Sequence, residues 1–306
     1  MNLLVSGATG FVSKSILSCL ENNLDLINKL GLVSLSLDKN SFSTNLNFAA
    51  NLNIDKEFIR LEDFFGNKLR NTYDVYIHGM SDPRGSNNRF ETNFINLKKS
   101  LNVCLFQNIK TYVYVSSGAV YKKKESKFDE TDLTIALSNT TNTYADAKLK
   151  EEIEVKEFCR KNKINYIILR LFSFSGQLMM YRNEFAIMEM FDTAIKRGEL
   201  VVRNPAVVRS YMHQYDLGTV ILSISSNKSA LNECINVGSP DAISMGELGS
   251  KISKITSATL LLEQGKLKDF YVPSIKKQRK FYQPELKEID FIVDDLYSQF
   301  NSMKFA

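Results

Sequence analysis

The chain has 306 residues, 44% of them hydrophobic and 24% charged, and 39 Lys and Arg against 34 Asp and Glu leave a formal charge of +5. That apolar share excludes a disordered chain, and so small a surplus of positive charge is no nucleic-acid footprint. No apolar run approaches the roughly 20 residues of a membrane span, and the opening Met1 to Val5 stops at Ser6-Gly7 without a basic flank or cleavage site, so neither a membrane segment nor a secretory leader is expected. The four cysteines, Cys19, Cys104, Cys159 and Cys234, are far apart and make no Cys-x-x-Cys. They read as reduced thiols of a cytoplasmic protein. With His78 and His213 the only histidines, no metal site is expected.

In chain order, Asn2–Ser6 reads as a short apolar strand, followed by Gly7-Ala8-Thr9-Gly10 and an amphipathic run over 11–22. Further strands are expected at 32–38, 57–61, 73–78, 111–117 and 164–172. Helical patterns fill 88–108, where Phe90, Phe94, Leu97, Leu101 and Leu105 recur every three or four residues, and 142–162. The strands are continuous apolar runs, as when both faces of a sheet are covered. Strands alternating with helices imply an α/β fold with a Rossmann-like doubly wound parallel sheet. After residue 172 the rhythm changes to a helix at 184–197, short strands near 200–202 and 211–213, a helix near 216–226 and a strand ending at Val237-Gly238. Residues 1–172, with a return segment near 211–237, are expected to form a dinucleotide-binding domain. Residues 173–210 and 238–306 would form a smaller, mixed α/β substrate-binding domain.

The first strand runs into a Gly-x-x-Gly-x-x-Ser turn that opens a helix. Glycines let the backbone approach a pyrophosphate, and the helix N-terminus offers free N–H groups and a positive dipole end. Gly7 and Gly10 are therefore candidate dinucleotide contacts, with Ser13 as the third small residue. Asp38, ending the expected second strand, suits the ribose hydroxyls of NAD and repels a 2′-phosphate, while Lys39 beside it keeps NADP open. Tyr144 and Lys148 are four apart and share a helix face. An ammonium near a phenol favours its phenolate, which makes Tyr144 a usable acid or base at a carbinol. Ser117 ends a parallel strand, where ligands bind in such sheets. His78 and His213 read as structural.

With these residues in place the chain resembles the extended short-chain dehydrogenases/reductases, the NAD-dependent epimerase/dehydratase group acting on nucleotide sugars. SGATGFVS is similar to that family's cofactor turn, which adds Thr9, Phe11 and Val12 as cofactor contacts. Asp63-Phe64 resembles its adenine-contacting pair, and YDVYIHGMS its strand and loop beside the cofactor, implicating Gly79, Met80 and Ser81. Asn93 falls at a structural asparagine. YVYVSSGAVY and YADAK resemble the segments bearing the family's catalytic groups, which implies Ser117, Tyr144 and Lys148. LRLFSFSG places Ser173 where the family has a substrate-contacting Asn, and RSYMHQYDL places Arg209 at the diphosphate, where a guanidinium fork fits the oxygens. INVGS is similar to the Asn-Val-Gly segment that follows. Arg279 or Lys277, in SIKKQRKFY, is a second candidate diphosphate contact. Gly118 and Ala119 stand where the family's 4,6-dehydratases carry Asp and Glu, so dehydration is not expected.

The resemblance implies epimerisation of a nucleotide-activated sugar through a C4 keto intermediate. A 4-keto reductase using NADPH or NADH is the alternative, and a catalytically inactive dinucleotide-binding regulator a third. It also implies a homodimer through the 88–108 and 142–162 helices, to which Phe90, Phe94 and Leu101 are candidates to contribute, core packing being an equal reading of them.

Overall fold

The computed structural model describes residues 1–35, 52–81, 88–137, 143–179 and 185–304. Six strands in the first half are β1 (Asn2–Ser6), β2 (Lys29–Ser34), β3 (Asp55–Arg60), β4 (Val75–His78), β5 (Thr111–Ser117) and β6 (Asn165–Leu171). Four short strands follow: β7 (Phe174–Ser175), β8 (Glu199–Val202), β9 (Val208–Arg209) and β10 (Met212–His213). The chain then returns to the main sheet with β11 (Glu233–Val237), paired parallel with β6. The resulting seven strands lie in the order β11-β6-β5-β4-β1-β2-β3, every neighbouring pair parallel. Strand order reverses between β1 and β4, so the crevice at their carboxyl ends is where this fold receives ligands.

Side-chain alternation explains the two-sided core. Leu3 and Val5 of β1, Ile77 of β4 and Val113 of β5 pack with Ile16 and Leu17 of the helix Phe11–Ser18 and with Leu217 and Ile221 of the helix Gln214–Ser226. Their neighbours Leu4, Tyr76, Tyr112 and Tyr114 point to the other face. There they meet Leu97, Leu101 and Cys104 of the helix Arg89–Phe106, and Val155 and Cys159 of the helix Tyr144–Lys161. Period-two strands buried on both sides give the continuous apolar runs seen in the sequence.

Two local expectations shift. The second strand begins at Lys29 and ends at Ser34 instead of spanning 32–38, and Leu35 beyond it is exposed. Asp38 and Lys39 lie outside the described residues. The first helix stops at Ser18, and a 3₁₀ turn, Leu20–Asn22, completes the run expected to be helical.

The later part of the chain builds its own core. The helices Ala186–Arg197, Met245–Thr256 and Ile289–Lys304 enclose Ile187, Phe191, Leu248, Ile252, Ile292 and Leu296. Here β12 (Ile243–Ser244) and β14 (Phe270–Tyr271) flank β9, and β13 (Thr259–Leu262) pairs with β8. Ser244 and Glu247 close a capping box on the Met245 helix, which satisfies two of its free donors. Among the described residues no helix is long and apolar enough to cross a membrane. Nor does any cluster of three or more His, Cys, Asp or Glu side chains among them suit a metal ion.

Candidate active site

The turn after β1 is shaped by close backbone approach. Gly7 has φ +70°, and a Cβ there would lie 2.6 Å from the Gly79 carbonyl oxygen and 3.1 Å from the Met80 nitrogen. A Cβ at Gly79 would in turn lie 2.6 Å from the Ser6 carbonyl oxygen. The turn after β1 and the loop after β4 thus meet backbone to backbone, at the strand-order reversal. Gly10 donates its N–H to the Gly7 carbonyl at 2.8 Å and caps the Phe11 helix without a side-chain hydrogen bond. That leaves first-turn N–H groups for a ligand's oxygens. Ser13 is buried and donates to the Ser6 carbonyl at 3.3 Å, seating helix on strand in the third small position.

Around this turn Thr9 and Val12 are half-buried, and the Phe11 ring stacks on Phe174 at 4.9 Å. Met80 and Ser81 are half-buried in the loop after β4. Asp63 and Phe64 sit on the short helix Leu61–Phe65 after β3. The Phe64 ring is fully buried, stacked on Tyr76 at 5.4 Å, so only its backbone is left to face a ligand. Asp63 pairs with Lys68 at 3.8 Å.

The helix bearing Tyr144 starts where Thr143 caps it: the Thr143 hydroxyl oxygen accepts from the Asp146 N–H at 3.1 Å and donates to the Asp146 carboxylate at 2.6 Å. Tyr144 is thereby the first helical residue, and Lys148 follows one turn later. Lys148 is buried. Its Nζ donates to the Tyr114 hydroxyl at 3.0 Å and to the Val115 carbonyl at 3.2 Å, and pairs with the Glu151 carboxylate at 3.4 Å. It lies 6.0 Å from the centre of the Tyr144 ring. Since Val115 is two residues before Ser117, these contacts bring the Tyr144 helix to the carboxyl end of the serine strand. Ser117 is buried, with its Oγ accepting from the Ala119 N–H at 3.2 Å and lying 3.4 Å from the Tyr271 hydroxyl.

Behind these groups lie two buried polar networks. Glu152 is fully buried and takes both teeth of the Arg170 guanidinium, at 2.9 and 2.7 Å, with the Ser116 hydroxyl donating at 2.6 Å. It ties the Tyr144 helix to the ends of β5 and β6. His78 is also buried, its Nδ1 3.1 Å from both the Tyr76 and the Ser100 hydroxyls. Burial, and next the Lys148 ammonium, push the imidazole down to about 3, against a hydrogen bond that the ring donates to the Met80 backbone, which acts the other way. It is a neutral ring in the core.

In the later part of the chain, a cavity of about 650 Å³ is lined by Arg197, Arg203, Arg209, Glu189, Met245 and Leu267, among others. Arg209 donates to the Asp269 carboxylate at 2.6 Å and stands 5.8 Å over the Tyr271 ring. Ser173 is half-buried and accepts the Met212 N–H at 3.1 Å. Arg279 is exposed in the 3₁₀ turn Gln278–Lys280. Its neighbour Lys277 reaches the Glu233 carboxylate and the Cys234 carbonyl at the start of β11, while Gln278 accepts the Gly238 N–H at 3.0 Å just past the carboxyl end of that strand. The structure therefore draws Ser117, Tyr144, Lys148 and Arg209 toward one region.

Four groups here carried no warning in the sequence: Tyr114, Glu151, Asp269 and Tyr271. Glu151 is buried and accepts a short hydrogen bond from Tyr114. Tyr271 sits in a two-residue strand, too short for any periodicity.

Comparison with known proteins places this geometry in context. Residues 3–238 match the model of the NAD dependent epimerase/dehydratase family. An uncharacterised UDP-glucose epimerase of Bacillus subtilis (strain 168), YtcB, is 24% identical over 268 residues, 84% of this chain and 82% of that protein. The crystal structure of the UDP-glucuronic acid 4-epimerase of Bacillus cereus, in complex with UDP-glucuronic acid and NAD, superposes with a TM-score of 0.83 at 20% identity. The match covers 99% of this chain and 100% of that one. The UDP-glucose 4-epimerase of Thermotoga maritima, solved with UDP-glucose, gives 0.78 at 18% identity, over 99% of each chain. These structural likenesses establish a shared fold.

Proposed function

Because the chain belongs to the NAD dependent epimerase/dehydratase family, we propose that it epimerises a nucleotide-activated sugar at C4 through a keto intermediate, with NAD as resident cofactor. The similar proteins named for UDP-glucose and UDP-glucuronic acid make a UDP-sugar the first substrate to try. The observation that carries the reading is the junction at the carboxyl end of β5. There Lys148, one turn after Tyr144, reaches the Val115 carbonyl at 3.2 Å, two residues before Ser117.

The residues present fit a dinucleotide. Gly7 and Gly79 let the turn after β1 and the loop after β4 close backbone to backbone, and the Phe11 helix starts on an uncapped N-terminus beside them. When bound, NAD supplies the hydride acceptor and donor. Tyr144 takes the proton of the sugar hydroxyl as that carbon is oxidised and gives it back when the carbon is reduced from the other face. Ser117 holds the same oxygen. Lys148, its ammonium fixed by Tyr114, Val115 and Glu151, keeps positive charge beside Tyr144. Arg209 offers the N–H groups not engaged by Asp269 and the Val208 carbonyl to the diphosphate. In this reading residues 1–172, with the return through 211–237, hold NAD, and 173–210 with 238–306 hold the sugar nucleotide.

A 4,6-dehydratase needs an acid and a base after the catalytic hydroxyl. Here residue 118 is glycine, and a Cβ there would lie 2.6 Å from the Phe172 ring. An acidic side chain has no room at that position. We also propose a homodimer through the Arg89 and Tyr144 helices, on which Ile95 and Phe106 are exposed. Leu101, one of the sequence candidates for that face, is fully buried in the core instead.

The test is to purify the protein, assay released NAD, and incubate it with UDP-glucose or UDP-glucuronic acid without added cofactor. The proposal expects co-purified NAD and appearance of the C4 epimer. Turnover only of a 4-keto sugar, with stoichiometric consumption of NADPH, would make it a reductase.

A further inference from the structure

Tyr271 reaches the catalytic serine from the far end of the chain. It is the last residue of β14, paired parallel with β9 so that Tyr271 is in register with Arg209. Its ring packs on Phe172 at 4.6 Å between centroids and lies under the Arg209 guanidinium at 5.8 Å. Its hydroxyl donates to the Leu171 carbonyl at 3.3 Å, at the end of β6, and lies 3.4 Å from Ser117 Oγ. A phenol has one proton. With that proton on Leu171, the contact with Ser117 is met by the serine donating to Tyr271. Ser117 Oγ also accepts from the Ala119 N–H at 3.2 Å. One serine lone pair is then left for a ligand. Ala119 and Tyr271 thus fix the serine oxygen and its proton, which can turn to a sugar oxygen whose own proton goes to Tyr144. The Tyr271 side chain thus meets Ser117 at its hydroxyl and Arg209 at its ring.

We propose that Tyr271 is a positioning residue for Ser117: its hydroxyl, fixed on the Leu171 carbonyl, orients the serine hydroxyl that holds the reacting sugar oxygen. The proposal rests on the epimerase reading above. Removing the hydroxyl while keeping the ring frees the serine to rotate, which slows the chemical step more than it weakens binding of the nucleotide sugar.

The experiment is a double-mutant cycle on the full chain with Tyr271→Phe, Ser117→Ala and both together, assayed for UDP-glucose and UDP-glucuronic acid epimerisation. Thermal melting of each protein verifies folding. Tyr271→Phe is expected to lower kcat about tenfold with KM changed less than about twofold, and to change kcat by less than about twofold when Ser117 is already Ala. Non-additivity of that kind is what a merely structural tyrosine would not produce. Full activity of Tyr271→Phe, or equal losses in both backgrounds, overturns the positioning role while leaving the epimerase reading intact. A wild-type chain that epimerises neither substrate overturns both.

Discussion

Substituting Gly7 with alanine isolates the physical demand of the dinucleotide turn. Two separate costs meet there. At φ +70° an L-residue is strained by about 1–2 kcal/mol. The new Cβ would also sit 2.6 Å from the Gly79 carbonyl oxygen and 2.8 Å from its carbon, so β1 and the loop after β4 must part by roughly 0.8 Å to reach ordinary contact, an overpacking cost of about 1–3 kcal/mol. Gly198 provides the control: it has φ +65° with nothing within 4 Å of its Cβ position, so Gly198→Ala carries only the first cost. At about 2 cal/mol/K of unfolding entropy per residue, 1 kcal/mol moves the melting temperature of a chain this long by about 1.5 °C. Gly7→Ala is therefore expected to melt about 3–8 °C lower and Gly198→Ala about 1–3 °C lower. Scanning calorimetry reads the stabilities, and titration with NAD reads the binding, which Gly7→Ala should abolish and Gly198→Ala should leave intact. Equal melting temperatures for the two variants, with NAD bound by both, would refute the argument that the two backbones touch at Gly7.

Other consequences are as direct. Arg170→Met strands the fully buried Glu152 carboxylate and should cost about 3–5 kcal/mol in urea unfolding, whereas adding Glu152→Leu should restore most of it; a double variant weaker than the single one contradicts this. His78 gains its proton near about 6.5 when unfolded but only near about 3 when folded. The unfolded state then binds more protons, so this contribution to stability is complete above roughly pH 6.5 and is lost as pH falls toward about 3, with a slope of up to about 1.4 kcal/mol per pH unit. His78→Gln should flatten that slope in urea titrations between roughly pH 4 and 6. Arg209→Ala should raise KM for the sugar nucleotide about tenfold or more, with a smaller effect on NAD binding, because a charged hydrogen bond to the diphosphate is lost; an unchanged KM would remove Arg209 from the substrate site.

The sheet was legible because its strands are buried on both faces. Tyr112 to Val115 make a continuous apolar run, and the strand Thr111–Ser117 falls where the sequence places it. The Tyr144 helix falls inside the span expected of it, and the Thr143–Asp146 cap that starts it is local and needs no tertiary partner. The second strand was harder. Lys29 and Gly31 depress strand propensity, yet both lie in β2, paired with Asn2 and Leu4. Glu151 reads as one more charge in a Lys-Glu-rich helix, and only Tyr114, on another element, makes it a buried partner of Lys148. Tyr271 is brought to Ser117 by two-residue strand pairing across 154 positions of sequence. No local pattern encodes such a contact. In the basic stretch around Arg279 charge density is visible in sequence, but the pairing of Lys277 with Glu233 is not.

The central claim, that the Tyr144 hydroxyl carries the proton exchanged with the sugar, is tested most directly by Tyr144→Phe. The substitution removes one oxygen from a half-buried ring, so the variant should fold and retain NAD as the wild type does. Its epimerisation rate should fall by about 100-fold or more. A variant that keeps NAD and still turns over within about tenfold of wild type would show that the proton travels by another route, and the account of the site would be wrong.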